Sequence, residues 1–116
     1  MARTFNDALA DLSGYELASV EFVQDYLQLR FDGPTLTAYG MPRVLTIGET
    51  FSEGQIGYES ALRKLIGATV RSAKCSDNEL EIRFANGAVI SLSPTDAHHR
   101  GPETFQFVDE TSVFVV

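Results

Sequence analysis

The sequence predicts an α+β domain built from two helix-plus-antiparallel-meander repeats related by a pseudo-twofold, with a closing β-hairpin. Three observations predict it. Leu27-Gln28-Leu29-Arg30-Phe31-Asp32-Gly33 alternates apolar and polar residues into a glycine turn, and Leu80-Glu81-Ile82-Arg83-Phe84-Ala85-Asn86-Gly87 does so again. Phe5, Ala8, Leu9, Leu12 and Gly14 have helical spacing, and Tyr58, Ala61, Leu62, Leu65 and Gly67 match them at a constant offset of 53. The chain ends in two β-rich runs, Thr104-Phe105-Gln106-Phe107-Val108 and Ser112-Val113-Phe114-Val115-Val116, with Asp109-Glu110 as the turn between them.

In order, Thr4 to Leu12 reads as a short helix with Thr4 as its cap, Asp7 three residues on and Gly14 closing it. A helix this short is marginal alone and must dock on a sheet. Tyr15 to Val23 is rich in β-formers, Gln24-Asp25 turns, and Tyr26 to Phe31 places Leu27, Leu29 and Phe31 on one face. Asp32-Gly33-Pro34 is the next turn, and Thr35 to Tyr39 returns as a third strand. Between Gly40 and Gly57, Val44-Leu45-Thr46-Ile47 reads as an extra strand and residues 48–57 as an exposed, acidic connection.

The pattern then restarts. Thr69 to Ser76 corresponds to the first strand, Asp77-Asn78 to its turn, and Leu80, Ile82 and Phe84 to Leu27, Leu29 and Phe31. Asn86-Gly87 follows after a one-residue insertion, and Ala88 to Ser93 returns. The repeats therefore span about 4–40 and 57–93, with the hairpin at 104–116, inside a single domain of residues 1–116. Each half exposes one apolar sheet face, so the halves are expected either to pack together or to share one sheet.

Length and composition bound the function. The 116 residues, 44% apolar and 22% charged, suffice for one core. Sixteen acidic residues against nine basic give a net charge of −7, which opposes a nucleic-acid partner and suits a basic protein. Cys75 has no partner for a disulfide, so a reducing compartment is expected, and in a strand it reads as a small hydrophobe. No stretch has signal-peptide or membrane-span character, and a cytoplasmic protein without membrane contact is expected.

With both copies laid out, the chain resembles a small uncharacterised bacterial domain family. The likeness rests on an L-x-G helix end at Leu65-Ile66-Gly67, with an earlier copy at Leu12-Ser13-Gly14, and on L-x-L-x-F-x-x-G strands at Leu80 to Gly87 and Leu27 to Gly33. Pro102-Glu103-Thr104-Phe105 and the closing hairpin complete it, with Thr104 inserted between the glutamate and the aromatic, which are adjacent in the pattern. Families of this size and style look like immunity proteins of bacterial toxin systems, and the resemblance implies an inhibitor role.

No catalytic signature occurs. Asp96, His98, His99 and Glu103 are metal-ligand types, but adjacent histidines point apart and Arg100 adds a repelling charge, so a partner-facing loop is expected and no cofactor or metal. Glu49 with Glu53, or Glu79 with Glu81, could form a carboxylate pair, yet no nucleophile or oxyanion motif accompanies either. Arg30 and Arg83 occupy equivalent outward positions and read as cross-strand ion-pair residues, with Glu21, Glu79 and Glu81 as mates. The expected partner-binding residues are Glu49, Glu53, Glu59, Tyr26, Tyr39, His98 and His99, with Tyr58 in the core. The expected activity is non-enzymatic capture of a basic toxin by acidic complementarity. The alternative is homodimerisation through a sheet edge such as Val113-Phe114-Val115-Val116.

Overall fold

The computed structural model describes residues 4–24, 26–76, 79–92, 105–109 and 113–115. Its first helix, α1 (Phe5–Ala10), opens on the reciprocal cap that the sequence predicts. The Asp7 amide donates to the Thr4 hydroxyl, and the Thr4 amide donates to the Asp7 carboxylate, both at 3.0 Å. The second, α2 (Tyr58–Arg63), has no side-chain cap and begins at Gly57, whose φ of 92° is left-handed. Glu59 and Arg63 put opposite charges at the ends of α2 that favour them and form an i,i+4 pair at 3.6 Å.

The described residues form ten strands: β1 (Ser19–Val23), β2 (Tyr26–Arg30), β3 (Thr35–Ala38), β4 (Arg43–Thr46), β5 (Glu49–Phe51), β6 (Val70–Ser76), β7 (Glu79–Phe84), β8 (Val89–Leu92), β9 (Phe105–Val108) and β10 (Val113–Val115). All pair antiparallel, in two five-stranded sheets. Sheet 1 runs β1-β2-β3-β9-β10 and sheet 2 runs β6-β7-β8-β4-β5. The class is α+β with strands dominant.

The two sheets meet at a seam. The Gly14 amide donates to Val70 O at 2.9 Å and the Gly67 amide to Leu17 O at 2.7 Å, while Leu17 N reaches Ala68 O at 3.0 Å and Val70 N reaches Tyr15 O at 2.7 Å. Glu16 and Thr69 face one another at its centre. Gly14 and Gly67, at φ of 94° and 91°, turn the chain from each helix into this seam.

One apolar core joins both halves. Leu27, Leu29, Phe31, Leu36, Phe105 and Phe107 are fully buried from sheet 1, and Leu80, Ile82, Phe84 and Ile90 from sheet 2. Each such side chain contributes about 1.5–3 kcal/mol of transfer free energy. Phe5 of α1 packs on the inner face of sheet 1, its ring 5.5 Å from those of Phe105 and Phe114. Tyr58 is buried as expected, and its hydroxyl donates to Pro42 O at 2.5 Å.

Three expectations require correction. Tyr15 to Val23 is not one strand: residues 15–17 bond across to 68–70 in the seam, and regular pairing to β2 begins at Ser19. The 48–57 connection is not all loop, because Glu49–Phe51 pairs with β4 across an Ile47-Gly48 turn in which Gly48 has φ of 87°. The closing hairpin is no appendage. Its first strand pairs with β3, so the end of the chain completes the first sheet.

Candidate partner-binding surface

The residues expected to bind a partner separate into two groups. Tyr26 and Tyr39 are on the outer face of sheet 1, because the buried phase of β2 and β3 belongs to Leu27, Leu29, Leu36 and Ala38. Their rings stand 6.2 Å apart, tilted by 57°. Both are half-buried, and the Tyr39 hydroxyl donates to Gln106 Oε1 at 3.0 Å. The same face carries a row of polar contacts. Arg30 pairs with Glu21 and donates to Gln28 Oε1 at 3.1 Å, and Gln28 Nε2 donates to Thr37 Oγ1 at 3.4 Å.

Glu49, Glu53 and Glu59 belong to the other group. Glu49 starts β5, Glu53 lies in the turn after it, and Glu59 sits in the first turn of α2; all three are exposed. Glu49 and Glu53 make no ion pair with a described residue, whereas Glu59 is held by Arg63. Two isoleucines flank Glu49 and Glu53 in the chain. Ile47 is 88% exposed at the β4–β5 turn and Ile56 is 99% exposed just before α2. Beside Ile47, a shallow cavity of about 350 Å³ opens between Thr46, Ala61, Lys64, Leu65 and Asn86.

Ile47 and Ile56 were not expected. Ile47 ends the apolar run read as a strand and Ile56 stands alone between Gln55 and Gly57, so neither shows in the sequence which way its side chain faces. His98 and His99, with Asp96 and Glu103, lie outside the described residues.

Comparison with family models, curated proteins and solved structures finds no match.

The remaining chemistry-bearing residues are occupied structurally. Arg83 pairs at 2.6 Å with Glu81, two residues away on β7 itself and not across strands as expected, and Ser91 donates to Glu79 Oε1 at 3.3 Å. The Glu79 and Glu81 carboxylates thus have separate partners. Burial pushes the Cys75 thiol up from its ordinary pKa of 9.0, which lowers its thiolate fraction and its reactivity. Among the described residues no three His, Cys, Asp or Glu side chains could share a metal ion. No helix among them is long and apolar enough to cross a membrane. What the 47–59 surface offers is contact: exposed carboxylates for cations, and exposed aliphatic groups that gain by leaving water.

Proposed function

We propose that the protein is a non-enzymatic, cytoplasmic protein-binding domain, an immunity-type inhibitor that neutralises a basic bacterial toxin. The observation that carries this reading is the exposed pair Ile47 and Ile56, which flank the exposed Glu49 and Glu53 in the chain. With a net charge of −7, the carboxylates steer a basic partner into encounter, and the two isoleucines supply the desolvated contacts that hold it. The His98-His99 loop and the tyrosine pair are secondary contacts in this scheme.

The test is a pull-down of the partner from the native host at low salt, followed by association kinetics with the protein recovered. Glu49→Lys with Glu53→Lys is expected to slow association at least tenfold at low salt, and Ile56→Asp to speed dissociation. An association rate that ignores both salt and these substitutions refutes the electrostatic mechanism, and the absence of any partner at low salt refutes the function.

A second reading has one observation in its favour. Val113 is 62% exposed on the edge strand β10, which suits homodimerisation through that edge. Solution mass decides it, because removing Val113 to Val116 must convert a dimer to a monomer.

The pseudo-twofold duplication belongs with this proposal. It is supported by the equivalent strand orders β1-β2-β3-β9-β10 and β6-β7-β8-β4-β5, and by seam bonds that exchange residues 14–17 for 67–70.

A further inference from the structure

β6 and β1 are both edge strands, and they are finished differently. In an antiparallel hairpin closed by a two-residue turn, the closing pair exchanges both hydrogen bonds, so every second residue behind it turns its amide and carbonyl outward. β6 closes on Ser76 opposite Glu79, which turns Cys75 outward. Both of its backbone groups are taken: Cys75 N donates to Asn6 Oδ1 at 2.8 Å, and Asn6 Nδ2 donates to Cys75 O at 3.0 Å. Ser13 Oγ donates to Arg71 O at 3.0 Å on the same strand.

β1 closes on Val23 opposite Tyr26, which turns Val20 and Phe22 outward. The residue of α2 at the offset position of Asn6 is Glu59, which cannot donate and is held by Arg63. α2 meets the strand through the Arg63 guanidinium, 5.3 Å above the Phe22 ring. No described residue hydrogen-bonds the outward backbone groups of Val20 and Phe22. The remaining edges are short, three residues each in β5 and β10, whereas β1 has five.

At its start the β1 edge runs into a groove of about 560 Å³ lined by Tyr15, Glu16, Ala18 and Asp32. Glu16 and Asp32 form no ion pair with a described residue, and Glu21 stands on the strand itself, paired with Arg30. Val20 and Phe22 are half-buried on the core side of the same edge.

We propose that the open edge of β1 receives an extended segment of a basic protein partner, which adds a sixth strand to sheet 1. The segment's backbone pairs with Val20 and Phe22. Its alternate side chains are apolar, covering Val20 and Phe22, and basic, meeting Glu21 and the Glu16–Asp32 groove. The assignment rests on the proposed function for the basic character of the partner, and it adds a second contact surface to the 47–59 face.

The probe is a blocked heptapeptide alternating lysine and valine, titrated at low salt into the full chain while backbone amide signals are followed. Saturable shifts at Val20 and Phe22, with amide exchange there slowed at least tenfold, are expected. Val20→Pro removes an outward donor that β2 does not use, a change edge strands tolerate, and should weaken binding at least tenfold. Methylating the central valine amide of the peptide should do the same without touching the protein. A glutamate-valine peptide should not bind. Silence at Val20 and Phe22, undiminished binding to the Val20→Pro chain, or equal binding of the acidic peptide overturns the proposal. Shifts confined to residues 47–59 also sink the β1 site while leaving the proposed function standing, and binding at neither surface counts against both.

Discussion

Replacing Asn6 by alanine isolates what the side chain does for the edge of β6. Two hydrogen bonds to the Cys75 backbone, at 2.8 and 3.0 Å, disappear together. Each is worth about 0.5–1.5 kcal/mol net, and because Asn6 is exposed, water recovers part, leaving a loss of about 1.5 kcal/mol. Alanine returns about 0.5 kcal/mol of helix propensity at this first-turn position. The expected net cost is about 1 kcal/mol, or about 4 °C in Tm for a chain of this size. Asn6→Asp is the informative partner variant. It keeps the acceptor for the Cys75 amide but sets a carboxylate against the Cys75 carbonyl, with an offsetting gain of about 0.5 kcal/mol from a negative charge near the helix start. Urea melts give the stabilities, and hydrogen exchange gives the local effect: the Cys75 amide should exchange much faster in Asn6→Ala and stay protected in Asn6→Asp. If Asn6→Ala leaves both the melt and the Cys75 exchange rate unchanged, Asn6 does not seal this edge, and the contrast drawn with β1 fails.

Tyr58→Phe should cost about 1–3 kcal/mol in a urea melt, because it strands the buried Pro42 carbonyl that the Tyr58 hydroxyl now satisfies. Gly67→Ala and Gly57→Ala should each destabilise by about 1–2 kcal/mol from their left-handed backbones, with Gly57→Ala the worse of the two. An added Cβ at Gly57 meets the Phe51 ring at 3.1 Å, while at Gly67 it meets nothing within 4 Å. The Cys75 thiol should react with a thiol reagent at pH 8 more slowly than an unfolded peptide cysteine. Its pKa is raised on folding, so the unfolded chain ionises first. Stability is therefore unaffected below the ordinary thiol pKa of 9.0 and declines as pH rises from there through the higher folded value. A Cys75→Ala chain should lose that alkaline decline.

The parts of the fold legible in the sequence were those that local periodicity controls. Leu27, Leu29 and Phe31, and Leu80, Ile82 and Phe84, alternate over enough residues to fix both a strand and its buried side, and Thr4 with Asp7 marks a helix start through a bond between near neighbours. β5 escaped because Glu49-Thr50-Phe51 is too short to show a period. That β9 lies beside β3, and β4 beside β8, could not be read, since pairing between strands far apart in sequence leaves no mark in either one. The division at the binding surface follows the same line. The carboxylates of Glu49, Glu53 and Glu59 were visible as charge, but that Ile47 and Ile56 face water while Tyr39 is engaged by Gln106 depends on tertiary contacts.

The exchange of strands between the sheets has a consequence for how the chain comes to be folded. Sheet 1 needs β9 and β10 from the far end of the sequence, and sheet 2 takes β4 and β5 from the first half, so neither half holds a complete sheet of its own. A nascent chain on the ribosome can form the β1-β2-β3 meander early, but β3 keeps a bare edge until Phe105–Val108 has emerged. Completion of sheet 1 therefore waits for Phe105–Val108, and the long loop closed between β3 and β9 predicts slow assembly. A ribosome-stalled fragment ending before Phe105 should remain a target for chaperones and proteases, however well its first half is formed.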